Sequence, residues 1–149
     1  MAREQIPVSK RAASIEYAIR DVVVPATKLE SEGHEIIKLN IGDPIAYPGL
    51  PTPKHMVDAY VDALKSGNNG YSPSYGLPEL RASIAQDERR KGWPARQDDI
   101  YVCHGVTEAL QVIFAATLEV GDVVLAPGPH YPPYLAYPQM FGAKTLEYM

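Results

Sequence analysis

Segment 100–118 constrains the fold more than any other part of the sequence. Its pattern predicts a short apolar strand to Cys103, a turn at Gly105 and a long apolar helix. The first N–H groups of a helix have no partner within it and carry the positive end of its dipole, so they suit an anion. On this segment alone two interpretations stay open. One is a phosphate site formed by the N–H groups of Val106 and Thr107, and the simpler one is an ordinary helix start that Thr107 caps.

Composition and charge narrow the class of protein. At 149 residues the chain is long enough for one domain with a sizeable core, and its net charge of −4 provides no basic surface for nucleic acid. The longest apolar runs fall far short of a membrane span. Cys103 is the single cysteine, which fits a reducing compartment, and the four histidines have no metal-ligand spacing. We therefore expect a cytoplasmic globular chain without nucleic-acid, membrane or metal partners.

Strands and helices are predicted to alternate after residue 100. Apolar runs at 122–126 and 144–148 are typical of short strands, and a helix is expected between them at about 134–141. Such alternation favours an α/β fold with parallel strand pairing and right-handed crossovers.

The chain before residue 100 is predicted to be mostly helical. Proline and glycine positions mark where its helices begin and end. In chain order the pattern predicts a helix over 12–23 that Pro25 interrupts, a further helical turn over 25–32, a strand over 36–39, a helix that Thr52 caps and Pro53 opens, and a helix that Pro78 opens.

Tyr131 is a second candidate for the functional site. It follows the strand predicted at 122–126, and ligands of open α/β sheets bind at the carboxyl edge of the strands. Between Pro129 and Pro132 its ring offers a rigid flat face on which an aromatic ligand can stack. The alternative is a tyrosine that packs its loop onto the sheet. A phosphate site at Gly105 and a stacking face on the next strand end would together suit a phosphorylated aromatic ring.

Tyr71 and Gly42 are two further candidates. Tyr71 lies in a polar loop rich in proline and glycine, where its hydroxyl could donate to an anion or simply contact water. Gly42 follows the strand predicted at 36–39, where a glycine permits close approach of a ligand to the backbone but equally serves a plain turn.

Five motifs and their order identify a resemblance. They are Leu-Asn-Ile-Gly-Asp-Pro at 39–44, Tyr-Ser-Pro-Ser-Tyr-Gly-Leu-Pro-Glu-Leu-Arg at 71–81, Gly-Val-Thr-Glu-Ala-Leu at 105–110, Gly-Asp at 121–122 and Pro-His-Tyr-Pro-Pro-Tyr at 129–134. Together they resemble the pyridoxal-phosphate-dependent class I/II aminotransferases of fold type I, with the alanine and aspartate aminotransferase branch most similar. Each motif is weak alone, but five in the family's order are specific, and the resemblance extends from about Ile15 to Tyr148.

The resemblance implies a binding role for four of the candidates. Gly105, Val106 and Thr107 would hold the phosphate of pyridoxal 5′-phosphate, and Tyr131 would stack on its pyridine ring. The cofactor would supply the electron sink of the reaction, while the protein positions it. His104 departs from the smaller or amide residue that the family has before the glycine, so the resemblance implies no role for it.

The resemblance also implies an assembly and a domain organisation. Family members are homodimers, so Tyr71 would reach the cofactor phosphate of the neighbouring subunit, and Gly42 would lie beside the substrate carboxylate. Residues 1–50 would form a helical N-terminal arm and a small-domain strand. Residues 51–149 would form an incomplete large domain, with a partial, mostly parallel sheet and flanking helices.

No catalytic residue is expected within residues 1–149. The lysine that holds the cofactor in this family lies in a motif that surrounds none of the seven lysines here. We therefore interpret the chain as an N-terminal segment of an enzyme that moves an amino group between an amino acid and a 2-oxo acid, inactive by itself. The alternatives are another fold type I enzyme, such as a lyase, decarboxylase or synthase, and a non-catalytic truncated product. Uncovered strands would make the isolated chain prone to aggregation.

Overall fold

The structure, a computed structural model, describes residues 6–15, 18–40, 42–46 and 49–149, with only the backbone of 18–20. Its residues group into two compact units. The first comprises the described part of 1–41 with His104–Met149, and the second is Gly42–Cys103. Within the described ranges, no helix is both long and apolar enough to cross a bilayer. The helices are α1 (Lys10–Ala13), α2 (Ala18–Ser31), α3 (Lys54–Lys65), α4 (Pro78–Arg90), α5 (Gly105–Thr117) and α6 (Pro133–Met140), and the strands are β1 (Val123–Pro127) and β2 (Lys144–Tyr148).

The first unit contains a parallel β1–α6–β2 crossover. β1 pairs with β2 in register from Val123 opposite Lys144 to Pro127 opposite Tyr148, which confirms the predicted strands and their parallel pairing. Helix α6 packs on β2 and on α5. The small core of this unit includes Phe114 of α5, the two prolines of α6 and three alanines, and its members among the described residues are Phe114, Ala126, Pro133, Ala136, Pro138 and Ala143.

The two-stranded sheet has one covered and one uncovered face. Ala126 is buried, while Val123 and Leu125 on the alternate face of β1 are 54% and 68% exposed. Leu146 of β2 is also exposed. This exposure is the uncovered apolar surface expected from the sequence, and the resulting aggregation stays a prediction.

The second unit contains α3 and α4. Pro78 occupies the first turn of α4, and Gly92 has the positive φ of 94° typical of a residue just beyond a helix end, so the predicted helix is confirmed. α4 packs on the 3₁₀ turn Gln97–Asp99, and Ala85 is its buried residue. The predicted boundary between residues 50 and 51 stays a prediction.

Two predicted strands are wrong. Residues 36–38 have no regular structure and Leu39 begins a turn, with Ile37 and Leu39 81% and 88% exposed. Residues 100–103 form no strand either, although the backbone of Ile100 is extended and the Val102 N–H donates to the Tyr75 carbonyl oxygen at 3.1 Å. A strand needs a neighbouring ladder, and the described residues supply none at either place.

Three predicted helix boundaries are also wrong. α2 continues through Pro25 instead of breaking there. The proline removes only one helical hydrogen bond, and residues 26–30 have a composition that favours a helix. α3 begins one residue late: Pro53 rather than Thr52 occupies the cap, and its carbonyl oxygen accepts from the Met56 and Val57 N–H groups. The predicted N-terminal helix starts at Lys10 and is interrupted after Ala13; residues 16 and 17 lie outside the described part.

Candidate functional site

The start of α5 presents free backbone donors. Gly105 has a φ of +76°, a conformation that favours glycine, and turns the chain into the helix. His104 occupies the cap position, but its side chain makes no capping hydrogen bond. Within the described ranges no group accepts from the N–H groups of Gly105, Val106 or Thr107. Three donors therefore point out of the positive end of one helix, the arrangement that binds an anion.

Thr107 does not act as the cap that the simpler interpretation proposed. It is the third residue of α5, and its Oγ1 lies 3.4 Å from the hydroxyl oxygen of Tyr131. That separation exceeds the usual 2.5–3.0 Å of an O–H···O bond, so the contact is weak. Both hydroxyls therefore retain most of their capacity to bond a ligand oxygen placed beside them.

Tyr131 comes from the loop between β1 and α6. Its side chain is 42% exposed, so part of its ring is accessible to a ligand. The ring meets that of Tyr134 at an interplanar angle of 87°, with 6.4 Å between the centroids. A cluster of free donors and a partly exposed aromatic ring thus lie side by side in the first unit.

Glu108 places a negative charge beside the same helix start. Its carboxylate accepts from the backbone N–H of His104, and its Oε2 lies 3.1 Å from His104 Nδ1. These hydrogen bonds, the backbone one first, hold the pKa of the Glu108 carboxyl below its ordinary value. Because Glu108 engages His104, it leaves the N–H groups of Gly105, Val106 and Thr107 free.

The pKa of Glu108 predicts an acid-sensitive start of α5. A carboxyl whose pKa is lower when folded stabilises the folded state above its ordinary pKa, near 4.5, and loses that contribution as the pH falls through the lowered value. Thermal unfolding, measured by circular dichroism from pH 7 to pH 3, should therefore show a smaller acid-induced loss in Glu108→Gln than in the wild type. The effect is small because the Glu108 side chain is 44% exposed, so solvent screens the interaction.

A matched control exists in α4. Glu79 also occupies the first turn of its helix, but no hydrogen bond of its side chain is found among the described residues. We expect Glu79→Gln to retain the wild-type pH profile. Equal profiles for Glu108→Gln and the wild type would contradict the role assigned to Glu108.

Tyr71 and Gly42 both belong to the second unit. The side chain of Tyr71 is fully exposed at the edge of a pocket of about 340 Å³. A Cβ added at Gly42 would meet no atom within 4 Å. The structure thus brings together Gly105, Val106, Thr107 and Tyr131, whereas Tyr71 and Gly42 keep the roles that the sequence predicts for them as predictions.

Arg81 is a residue that the sequence analysis missed. Its side chain is 14% exposed; Nε donates to the Ile100 carbonyl oxygen at 3.0 Å and Nη2 to that of Gln97 at 2.9 Å. The guanidinium also lies 5.6 Å from the ring centroid of Tyr75. These contacts of Arg81 therefore connect Tyr75, in the loop that contains Tyr71, to residues 97–100 after α4. One signal was available: Arg81 is four residues from both Leu77 and Ala85, on the apolar face of the helix.

Comparison with known proteins assigns the family. The family model "Aminotransferase class I and II" matches residues 34–149. The chain belongs to this aminotransferase family. The structure of an alanine aminotransferase from Pyrococcus furiosus is similar with a TM-score of 0.89 and 52% identity, over 95% of this chain and 36% of that one. This likeness confirms the predicted fold, the N-terminal part of a fold type I large domain.

Two curated relatives support the same assignment to the aminotransferase family. An alanine aminotransferase of Mycobacterium tuberculosis is 36% identical over 95% of this chain and 33% of its own length. An aspartate aminotransferase of Geobacillus stearothermophilus is 33% identical over 89% of this chain and 32% of its own length. The chain therefore spans about a third of the length of these relatives.

Proposed function

We propose that this chain supplies the phosphate- and ring-contacting part of a pyridoxal 5′-phosphate site. The enzyme would transfer an amino group between an amino acid and a 2-oxo acid. Its membership of the aminotransferase family supports the reaction class, and relatives named for alanine and for aspartate support amino acid substrates. No residue among 1–149 is proposed to be catalytic.

One observation carries the proposal. The Thr107 and Tyr131 hydroxyls lie 3.4 Å apart at a helix start with three free N–H groups. This donor set suits a phosphate dianion, and the adjoining partly exposed ring suits a flat heterocycle. The residues present therefore fit a phosphorylated aromatic cofactor.

Each residue has a definite task in this proposal. The N–H groups of Gly105, Val106 and Thr107, with the Thr107 hydroxyl, bind the phosphate, and Tyr131 orients the ring by stacking. When bound, pyridoxal 5′-phosphate supplies the electron sink for chemistry at the amino acid. The Glu108 carboxylate is hydrogen-bonded to His104 and so does not compete with the phosphate for these N–H groups.

The assembly proposed is a cytoplasmic homodimer. In it Tyr71 contacts the cofactor phosphate of the neighbouring subunit, and Gly42 lies beside the substrate carboxylate. The full exposure of the Tyr71 side chain supports this, because its hydroxyl is accessible to another molecule. Sedimentation equilibrium of the chain measures its association, and a monomer at all concentrations would contradict the dimer for these residues.

Cofactor binding tests the proposed site. Equilibrium dialysis should show that the chain binds pyridoxal 5′-phosphate and that Thr107→Val weakens this binding by about ten- to a hundredfold, since a hydrogen bond to a charged group contributes roughly 1.5–3 kcal/mol. Thr117→Val is the matched control, because the Thr117 hydroxyl donates to Ile113 at the other end of the same helix.

Two outcomes would contradict the proposal. Absence of binding by the wild-type chain would argue against the cofactor site, and equal weakening by Thr107→Val and Thr117→Val would argue against the helix start as its location. Turnover of an amino acid by these 149 residues would overturn the expectation that none of them is catalytic.

A further inference from the structure

His130 is a buried imidazole that the proposed site does not use. It precedes Tyr131 in the loop after β1, and its side chain is only 8% exposed. Nε2 lies 3.1 Å from Glu147 Oε1, at the carboxyl end of β2. Nδ1 is buried with no hydrogen-bond partner among the described residues. A buried polar atom without a partner has a cost, so its retention here calls for a reason.

The contacts of His130 define its tautomer. A neutral imidazole donates from one nitrogen and accepts at the other, and a carboxylate only accepts. Nε2 must therefore carry the proton that reaches Glu147, which in the neutral ring leaves the lone pair on Nδ1. The imidazole is thereby held to the end of β2 in one orientation.

Two aromatic contacts connect His130 to Tyr131. The His130 ring meets the Tyr134 ring at 82° with 6.4 Å between centroids. The Tyr134 ring in turn meets that of Tyr131 at 87° and the same distance. Tyr134 is itself held, because its carbonyl oxygen accepts from the Thr145 hydroxyl of β2 at 2.8 Å. Edge-to-face pairs favour one mutual orientation, so a fixed imidazole restricts both tyrosine rings.

The start of the same loop is anchored to β2 as well. The Gly128 N–H donates to the Tyr148 carbonyl oxygen at 2.8 Å. The carboxylate of Glu147 lies so close that a Cβ at Gly128 would be 3.3 Å from its Oε2. The loop is therefore held to the end of β2 by the backbone of Gly128 and by the buried side chain of His130.

We propose that His130, held by Glu147 as the Nε2–H tautomer, is a positioning residue that sets the orientation of the Tyr131 ring through Tyr134. The effect of His130 on cofactor binding rests on the proposed function of Tyr131. Its effect on the orientation of the Tyr131 ring does not. His130 touches no ligand in this role. It determines how sharply Tyr131 is oriented before an aromatic ligand arrives.

Nuclear magnetic resonance of the chain with ¹³C- and ¹⁵N-labelled histidine and tyrosine tests this directly. In the wild type the ¹⁵N shifts of His130 should identify Nδ1 as the unprotonated nitrogen, and the three-bond couplings of Tyr131 should report one χ1 rotamer. His130→Leu keeps the volume but removes the donor, so we expect its Tyr131 couplings to move to averaged values. His130→Gln places an amide near the Nε2 position but has no ring to meet that of Tyr134, so its Tyr131 couplings should be averaged as well.

Binding of pyridoxal 5′-phosphate separates this inference from the proposed function. We expect His130→Leu and His130→Gln both to bind about three- to tenfold more weakly, the range expected for loss of an aromatic pair contact. His55→Leu, on α3 in the second unit, is the control and should change neither readout. If the wild type binds no cofactor but its Tyr131 rotamer depends on His130, the proposed function fails and the positioning role stands.

Two results would overturn the positioning role. One is a protonated Nδ1 or several Tyr131 rotamers in the wild-type chain, a measurement that needs no variant to fold. The other is a single Tyr131 rotamer in folded His130→Leu. In neither case would the Nε2–H imidazole of His130 set the orientation of Tyr131.

Discussion

Gly76→Ala should destabilise the second unit by about 2–5 kcal/mol, the largest effect that we expect from any single change in this chain. Gly76 has a φ of +98°, which an alanine adopts at a cost. A Cβ there would also lie 2.4 Å from Val102 Cγ2 and 2.7 Å from Val102 Cβ, too close for any real contact. The strain falls where the Tyr75 carbonyl oxygen accepts from the Val102 N–H.

Trp93 makes this prediction measurable. It is the single tryptophan of the chain and lies in the second unit, just after α4. Urea unfolding followed by its fluorescence should show a midpoint shifted strongly downward in Gly76→Ala. Gly70→Ala is the matched control, because Gly70 has no positive φ and a Cβ there meets nothing within 4 Å. Similar midpoints for the two variants would show that Val102 and the backbone relax without cost.

Helices whose ends are marked by a nearby proline or glycine were predictable from sequence. Pro78 and Gly92 bracket α4, and Gly105 opens α5, because a missing N–H or a missing Cβ acts on the few residues around it. The parallel pairing of β1 and β2 was predictable for a related reason, since an apolar strand, a short helix and a second strand leave few arrangements.

Features that depend on partners distant in sequence were not predictable. The apolar residues at 36–39 look like a strand, but none of the described residues forms a strand beside them and they remain irregular. The three hydrogen bonds of the Arg81 guanidinium reach residues 16–19 positions away, and no local pattern encodes them. His130 was recognised only as a histidine without metal-ligand spacing, because its pairing with Glu147 spans 17 residues.

The candidate site contains features of both kinds, some set by local sequence and some by contacts between distant residues. The anion-binding character of the helix at Gly105 follows from its local sequence, and Tyr131 was expected at a neighbouring strand end. The sequence could not decide between a capping Thr107 and a ligand-binding one. The 3.4 Å separation between the Thr107 and Tyr131 hydroxyls favours the second, because the hydroxyl turns toward Tyr131 instead of capping the helix.

Val106→Pro should weaken binding of pyridoxal 5′-phosphate by about tenfold or more while leaving the fold intact. Val106 is the second residue of α5, where its N–H has no partner within the helix and proline is tolerated. The residue before a proline is restricted, but Gly105 has no Cβ to clash. The Val106 side chain is 63% exposed, so its loss removes little packing. The substitution therefore deletes one proposed phosphate donor and little else.

Val106→Ala completes this test, because it removes the same side chain but keeps the N–H. Equilibrium dialysis should give wild-type affinity for the alanine variant and weakened binding for the proline variant. Urea unfolding should place both within about 0.5 kcal/mol of the wild type. Equal affinities of a folded proline variant and the alanine variant would mean that the phosphate does not use this N–H. Weak binding by both would instead assign the effect to the valine side chain, so the two variants separate a backbone anion site from an apolar contact.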